Sequence, residues 1–500
     1  MHIEIDRGSG GSGRGGRPVY RQIADAIRGE IQSAGLAQGA RLPAIRDLAR
    51  DLGVNRDTVA LAYEELASAG VVESTVGRGT FVAIRGAGDA ATSESEPFEP
   101  SLSSHTERLL RFDRARPRFG SAEAAVPMHA LIPDPSLYPV DEFRKVLNRV
   151  LMDGGQELFL YGDPQGYARM RDVMVERLAP IGIAVRSDEI LLCHGASQGI
   201  SLALRLFAEP GDVVALEEPT YNNTLATVFA LGLQTAPVPM RDDGPDLAAL
   251  ERTLERPEVK VFYTIPTYHN PMGTTTSREH RRALLGVAHR CGKPVIEDGY
   301  ELDLAIDGPA PPPLSALDAS GLVVHLSSFS KSLFPGVRVG AIAARGRALD
   351  AVLALKRATD HSDAMPLQAA LAEFIASGGY DRHLAKLRRV LRSRRDTLLA
   401  ALAECMPEGT TWTSPEGGYQ VWVELPTDVD TADLLADAVG AGVLFAPGSQ
   451  FNHDGRASRG MRLSFALPEE DELRRGVEAL AGVVRRQMAA GSRPSARVHI

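Results

Sequence analysis

From about residue 125 onward, short apolar runs alternate with helix-length segments. The runs "EILLCHG", "DVVALEEP", "KVFYTIP", "PVIEDGY", "GLVVHLSS" and "RVGAIAA" each read as a strand. Runs that are apolar throughout belong to strands buried on both faces, so the alternation predicts a largely parallel sheet covered by helices on both sides. In the last hundred or so residues, helix-like "ADLLADAVGAG" follows strand-like "GGYQVWVEL" and precedes "GMRLSFAL", which predicts a smaller α+β subdomain. No internal repeat is apparent.

At 500 residues the chain exceeds what one hydrophobic core serves, and the pattern changes where a second domain is expected. Residues 1–16, with "GSGGSGRGG", have the make-up of a flexible tail. From residue 17 to 84 the sequence reads as three helices and a hairpin. "PVYRQIADAIRGEIQSAGL" sets Ile23, Ala26, Ile27 and Ile31 at helical spacing and stops at Gly35. "LPAIRDLARDLGVNRDTVALAYEELASAG" gives a short helix, a turn at Gly53 and a third helix opening at Asn55, with Val59, Ala62, Tyr63 and Leu66 turned inward. "VVEST" and "GTFVAI" around "VGRG" complete a winged helix-turn-helix. Residues 85–124, rich in Ala, Ser, Glu and Pro, read as a linker, and 125–490 as the large domain.

Composition narrows the setting. Cys193, Cys291 and Cys405 are scattered and form neither a disulfide framework nor a metal-ligand pair, as suits a reducing compartment. No run of about 18 apolar residues and no signal-like N-terminus is present, so a cytoplasmic protein is expected. The net charge of −9 offers phosphate no general attraction, and any nucleic-acid contact must be local.

The chemistry centres on "SSFSKSLFPGVRVG", where Lys331 follows Ser328 and Ser330 in a loop at the end of a strand. Most lysines are solvated surface groups. A lysine sheltered between apolar runs can instead form a Schiff base with an aldehyde cofactor. Pyridoxal phosphate needs three further things, and each has a candidate. Asp298 ends "PVIEDGY", where a carboxylate can hold the pyridinium proton. Tyr300, and Asn270 in "PTYHNPMG", can donate to the phenolic oxygen, while Tyr221 in "EEPTYNN" offers a face for the ring. In "HGASQGI" a strand gives way to a helix, so the backbone amides of Ala196 and Ser197 sit at a helix N-terminus suited to phosphate, with Arg338 supplying permanent charge. Taken singly, Asp298 reads as a cap, Tyr221 as core and Asn270 before Pro271 as a turn.

Their order resembles that of the fold type I aminotransferases over residues 125 to 490. The resemblance pairs Lys331 with Arg338, matches Asn-Pro-x-Gly at Asn270, Pro271 and Gly273, and matches Asp298 with Tyr300. It implies that Arg462 in "GMRLSFA" binds a substrate carboxylate. It also implies that Tyr161 in "YGDPQGY" reaches the phosphate of a neighbouring subunit, and hence a homodimer. The front segment resembles the GntR-type winged helix, in which Arg46, Arg56, Thr58 and Gly77 would touch double-stranded DNA. Residues 17–83 hold eight arginines, no lysines and eight acidic residues, and Asp57 beside Arg56 repels phosphate, so the usual basic footprint is missing.

A GntR-type head joined to an aminotransferase-like domain is the architecture of the MocR subfamily of regulators. The resemblance implies a regulator in which an amino compound, or pyridoxal phosphate itself, is sensed by aldimine chemistry at Lys331, with an acidic group of the effector on Arg462. The alternative is a working aminotransferase with a vestigial or moonlighting head. Where family members often carry glycine, this chain has Leu131, which crowds the substrate side under either reading.

Overall fold

The structure is a computed structural model that describes residues 18–32, 35–75, 79–83, 100–114, 116, 125–426 and 429–490. It divides into two compact units, residues 1–101 and 102–500. Among the described residues no helix is long and apolar enough to cross a membrane.

In the first unit, α1 (Val19–Gln32), α2 (Ile45–Leu52) and α3 (Arg56–Ser68) pack around Ile23, Ile27, Leu48, Val59, Ala62 and Leu66. Ala26 and Ile31 lie partly buried against the same cluster. Gly53, at φ 60°, takes the left-handed turn that ends α2 and donates its N–H back to Ala49 and Arg50. Asn55 then caps α3 by accepting from the Asp57 N–H at 3.1 Å. The Tyr63 hydroxyl donates to the Pro43 carbonyl at 2.9 Å, tying α3 to the start of α2. Strands β1 (Val72–Thr75) and β2 (Gly79–Val82) pair antiparallel, with Val72 opposite Val82. Helix, turn, helix and wing are thus formed as the pattern predicts, while the tip holding Gly77 lies outside the described residues.

The large unit opens with α4 (Ser104–Arg114), a helix inside the stretch read as linker. "SHTERLLRFDR" carries enough apolar surface to dock: Phe112 meets Phe229 edge-on at 5.1 Å, and Arg116 donates to the Asn222 carbonyl at 2.9 Å. Linker composition, averaged over forty residues, hides about three turns of amphipathic helix.

After β3 (Val126–Pro127), α5 (Val140–Asp153) and α6 (Ala168–Leu178), the main sheet is built from β4 (Ile190–Cys193), β5 (Val213–Glu218), β6 (Gln234–Arg241), β7 (Gly244–Pro245), β8 (Val259–Thr264), β9 (Val295–Asp298), β10 (Val323–Ser328) and β11 (Gly340–Ala343). The eight strands run β4-β11-β10-β9-β8-β5-β6-β7 across the sheet. Strands β6, β5, β8, β9 and β10 are mutually parallel, while β11 is antiparallel to both β10 and β4. Helices α7 (Ala196–Phe207), α8 (Asn222–Ala230) and α12 (Arg347–Thr359) cover one face through Ile200, Leu204, Leu225 and Val352. On the other face α9 (Leu247–Leu254) and α10 (Arg278–Cys291) pack Leu250, Leu254, Leu284 and Ala288 against Ala215, Phe262 and Val295. A short helix, α11 (Leu314–Leu317), donates its first N–H groups to the Glu297 carboxylate.

The remaining chain forms α13 (Met365–Ala376), the 27-residue α14 (Gly379–Cys405), and a small antiparallel sheet of β12 (Thr411–Trp412), β13 (Gln420–Glu424), β15 (Ala446–Pro447) and β16 (Gly460–Ser464). Between them lie α15 (Leu435–Gly440) and β14 (Val443–Leu444), which pairs with β3, and α16 (Glu470–Ala490) closes the unit. The parallel strands β5, β8, β9 and β10 end together, and ligands of open α/β sheets bind beyond such carboxyl ends.

Candidate cofactor and ligand site

Lys331 leaves the carboxyl end of β10 and is partly buried, with its ammonium donating to the Leu131 carbonyl. The Tyr419 hydroxyl donates to the Lys331 carbonyl and fixes the loop. Burial holds the amine down at about 8, although Glu301 opposes the shift and Arg462 reinforces it. An amine near 8 is partly neutral at physiological pH, as a group that attacks a carbonyl must be.

Asp298, the last residue of β9, is 1% exposed, and its Oδ2 accepts from the Tyr263 hydroxyl at 2.7 Å. Its Oδ1 has no hydrogen-bond partner among the described residues, and burial pushes the carboxyl up to about 6. A buried carboxylate oxygen without a donor is a costly feature unless something else supplies one. In the cofactor-free protein a folded-state value near 6, against about 4 unfolded, means that the folded state holds the extra proton. Stability therefore falls as pH rises from 4 to 6. Cofactor-free Asp298→Asn should gain on the parent across that window, by about 3 kcal/mol at pH 7. Urea unfolding midpoints of the two proteins at pH 4 and pH 7 measure it, and parallel curves would contradict the assignment.

Tyr300, two residues on, receives the Gln420 amide on its hydroxyl at 2.9 Å. The same amide nitrogen reaches the carbonyls of Tyr268 and His269 and, at 3.3 Å, the buried Glu301 carboxyl. Burial drives Glu301 up to about 8, with Lys331 and Arg462 pulling the other way. Neither Glu301 nor Gln420 is picked out by the sequence. Gln420 carried no local signal: β13 reads QVWVE, polar at both ends, and only the fold buries its first residue completely.

Arg462, on β16, is 8% exposed and lies over the Phe451 ring at 5.0 Å. Its guanidinium donates to Asn270 Oδ1 at 3.0 Å and to the His129 carbonyl at 2.8 Å. Among the described residues no carboxylate forms an ion pair with it, its Nε has no partner, and burial lowers it to about 10. The loop of Asn270 is held by the buried Arg281, which donates to the carbonyls of Thr276 and Pro266 and to Thr267 Oγ1. Tyr221 stands just before α8, its hydroxyl accepting from Asn223 at 2.8 Å, and it feels the charges of Asp298 and Arg462. Its neighbour Thr220 donates to the Phe451 carbonyl at 2.9 Å. Tyr221, Asn270, Asp298, Tyr300, Lys331 and Arg462 therefore share one pocket.

Beside it lies a cradle of anion-binding groups. Gly195, at φ 82°, precedes α7, so the N–H groups of Ala196 and Ser197 open the helix. A Cβ at Gly195 would lie 3.2 Å from Arg338 Nη2, and one at Gly340 would strike the Gly195 backbone at 2.9 Å. Arg338 adopts φ 49°, a left-handed conformation unusual for a side-chain-bearing residue, and donates to the His194 carbonyl at 2.6 Å. Ser328 is buried and accepts from the Ser330 N–H, while the buried Ser330 hydroxyl has no partner among the described residues. The orphaned Ser330 Oγ and Asp298 Oδ1 mark opposite requirements, a phosphate end and a protonated ring nitrogen, and the donor set fits pyridoxal phosphate on both.

Tyr161 stays outside this pocket: it is 87% exposed, and its ring meets His361 at 6.3 Å. Arg46 and Arg56 are exposed in the first turns of α2 and α3, with Thr58 half-buried one residue beyond Asp57.

Comparison with known proteins agrees with the geometry. Residues 133–480 match the family described as aminotransferase class I and II, and residues 19–82 match the gntR family of bacterial regulatory proteins. The chain is 30% identical to an uncharacterized HTH-type transcriptional regulator of Bacillus subtilis, YdfD, over 95% of this chain and 97% of that one. It is 28% identical to the probable rhizopine catabolism regulatory protein MocR of Rhizobium meliloti, over 95% and 96%. The kynurenine aminotransferase of Pyrococcus horikoshii, whose crystal structure contains PMP, superposes with a TM-score of 0.71 at 29% identity, over 79% of this chain and 98% of that one. Pyridoxal phosphate is the cofactor of this fold family, and the chain belongs to the class I and II aminotransferase family joined to a gntR-type head, the architecture of the MocR-type transcriptional regulators.

Proposed function

We propose that this protein is a cytoplasmic, homodimeric transcriptional regulator that binds double-stranded DNA through its gntR-type head and senses an amino compound bearing an acidic group, or the cofactor itself, at Lys331. The observation that carries the reading is Arg462, a buried guanidinium with no carboxylate partner among the described residues, in the pocket of a lysine whose amine is held near 8. A charge kept that deep without a counter-ion is costly unless a ligand supplies one.

When bound, pyridoxal phosphate supplies an electrophilic aldehyde and an electron-withdrawing ring. Lys331 would hold it covalently, Asp298 would keep the proton at its ring nitrogen, and Tyr221 would offer its face to the ring. Asn270 and Tyr300 flank the phenolic oxygen. Ser328, Ser330, Arg338 and the amides of Ala196 and Ser197 take the phosphate. Tyr161 would complete the phosphate site of a second subunit. The exposed Met152, Phe159, Leu160 and Tyr161, four large apolar or aromatic side chains within ten residues of sequence, support that dimer. In the head, Arg46, Arg56, Thr58 and Gly77 read the duplex. The functional layout is a head at 17–84, a linker at 85–124 and a sensing domain at 125–490, with α4 as the docked end of the linker.

Titrating the cofactor-loaded protein with a panel of α-amino acids should displace its visible absorbance band for those that bind. Arg462→Ala should weaken that response at least tenfold, about 1.4 kcal/mol, through loss of the charge-assisted contact. An unchanged midpoint for every amino acid would remove Arg462 from the ligand site.

A further inference from the structure

The large unit contains a second cavity, of about 810 Å3, on the far side of the segment that carries Tyr300 and Glu301. Pro180, Ile181, Ile306 and the proline run 309–313 give it an apolar wall. Opposite them α14 presents Arg388, Arg389 and Arg392. The single carboxylate in the lining, Asp303, is already engaged by Arg177 at 2.7 Å and by the Tyr380 hydroxyl at 2.7 Å. Arg388 spends its Nε on the Asp303 carbonyl at 2.8 Å, and Arg392 lies 3.5 Å from Asp307. Arg389 is exposed and forms no ion pair among the described residues. Cation excess against an apolar wall, in a volume typical of small-molecule sites, selects one chemistry. The ligand is an organic anion with an apolar body.

The segment that lines the cavity is continuous with the one that enters the sensing pocket. Leu302, Asp303, Ala305 and Ile306 line it, immediately after Tyr300 and Glu301. The Tyr380 hydroxyl, which donates to Asp303, lies 2.6 Å from Ser332 Oγ, and Ser332 adjoins Lys331. An anion that draws on Arg388, which holds the Asp303 main-chain carbonyl, therefore acts on a residue whose half-buried carboxylate begins a hydrogen-bonded series through the buried Tyr380 and Ser332 to the lysine loop.

We propose that this cavity binds a small organic anion at Arg388, Arg389 and Arg392, and that its occupancy is felt at Lys331 through Asp303, Tyr380 and Ser332. The binding stands apart from the reading of Lys331 as the cofactor lysine, and the coupling rests on it. Calorimetry on the full-length, cofactor-loaded protein with 1-naphthoate, and with the neutral 1-naphthamide as control, tests the first half. Naphthoate should bind, the amide at least fivefold more weakly, and Arg389→Glu should weaken naphthoate at least tenfold. Equal affinity for both compounds, or an unchanged affinity in Arg389→Glu, would overturn the site, since the latter places the anion elsewhere, such as at Arg462. For the second half, saturating naphthoate should shift the pH midpoint of the cofactor's visible band in the parent, and that shift should vanish in Tyr380→Phe. No shift in the parent, or an equal shift in Tyr380→Phe, would overturn the coupling. A parent with no visible band fails the Lys331 reading and removes the coupling with it, while the calorimetric result keeps its meaning.

Discussion

Lys331→Ala is expected to abolish covalent retention of pyridoxal phosphate: after dialysis the purified variant carries essentially no visible cofactor band, where the parent retains close to one equivalent per chain. The remaining groups, Asp298, Ser330, Arg338 and the α7 amides, still attract the cofactor, so the variant should take it up reversibly when it is added in excess. The loss should come without a stability penalty. In the folded protein the amine is held near 8 against an ordinary value near 10.5, so folding with a charged lysine is disfavoured at neutral pH, and removing it removes that cost. Glu301, pushed up to about 8, can stay protonated and neutral when the lysine is gone. Absorbance after dialysis and a urea unfolding curve, taken together, test both halves. A variant that keeps the parent's band, or one that loses it only because it unfolds, would contradict the assignment.

Arg56→Ala should weaken specific DNA binding by about 10- to 100-fold, which corresponds to about 1–3 kcal/mol for a lost base contact. The reason lies in the charge balance of the head. Eight arginines offset eight acidic residues across residues 17–83, so few cations are free to meet phosphate or base, and each one counts for more. Arg56 is exposed as the first residue of α3, beside the Asn55 cap, at the positive end of the helix. Its removal spares the core of Val59, Ala62, Tyr63 and Leu66, so the circular dichroism of the variant should match the parent. If the side chain contacts phosphate instead of a base, affinity falls evenly across sequences and the salt slope drops by about one. Competition binding on specific and random duplexes separates those outcomes, and no loss on either would take Arg56 off the interface.

What was legible in the sequence followed from local signals. Apolar runs without alternation announced the buried parallel strands, and Gly53 and Asn55 announced the turn of the head. Asp298, Asn270, Lys331 and the start of α7 were picked out because they sit where a strand hands over to a loop or helix, and strand ends converge; Arg462, inside β16, was named only through the resemblance. Glu301 and Gln420 escaped because nothing local distinguishes a glutamate beside Tyr300, or a glutamine in β13, from a solvated one. Their burial arises where the small sheet closes on the large one. The antiparallel β11 was readable in principle: only eleven residues separate it from β10, too few for the crossover that a parallel neighbour requires. Helix α4 was masked by the Ala, Ser, Glu and Pro around it, and only the contact of Phe112 with Phe229 makes its apolar face count.

A regulator of this kind requires DNA binding by the head and the chemistry at Lys331 to be energetically linked. That link is tested most directly by measuring the affinity of the cofactor-loaded protein for the DNA upstream of its own gene. Pyridoxal phosphate and a panel of α-amino acids would be added in turn, beside Lys331→Ala and Arg56→Ala, at two salt concentrations. The account predicts specific binding that Arg56→Ala loses, and at least one compound that changes the affinity severalfold in the parent and leaves Lys331→Ala unmoved. Specific binding that no compound alters, or that shifts equally in Lys331→Ala, would contradict the link. Binding no tighter than to random DNA would contradict the regulator itself.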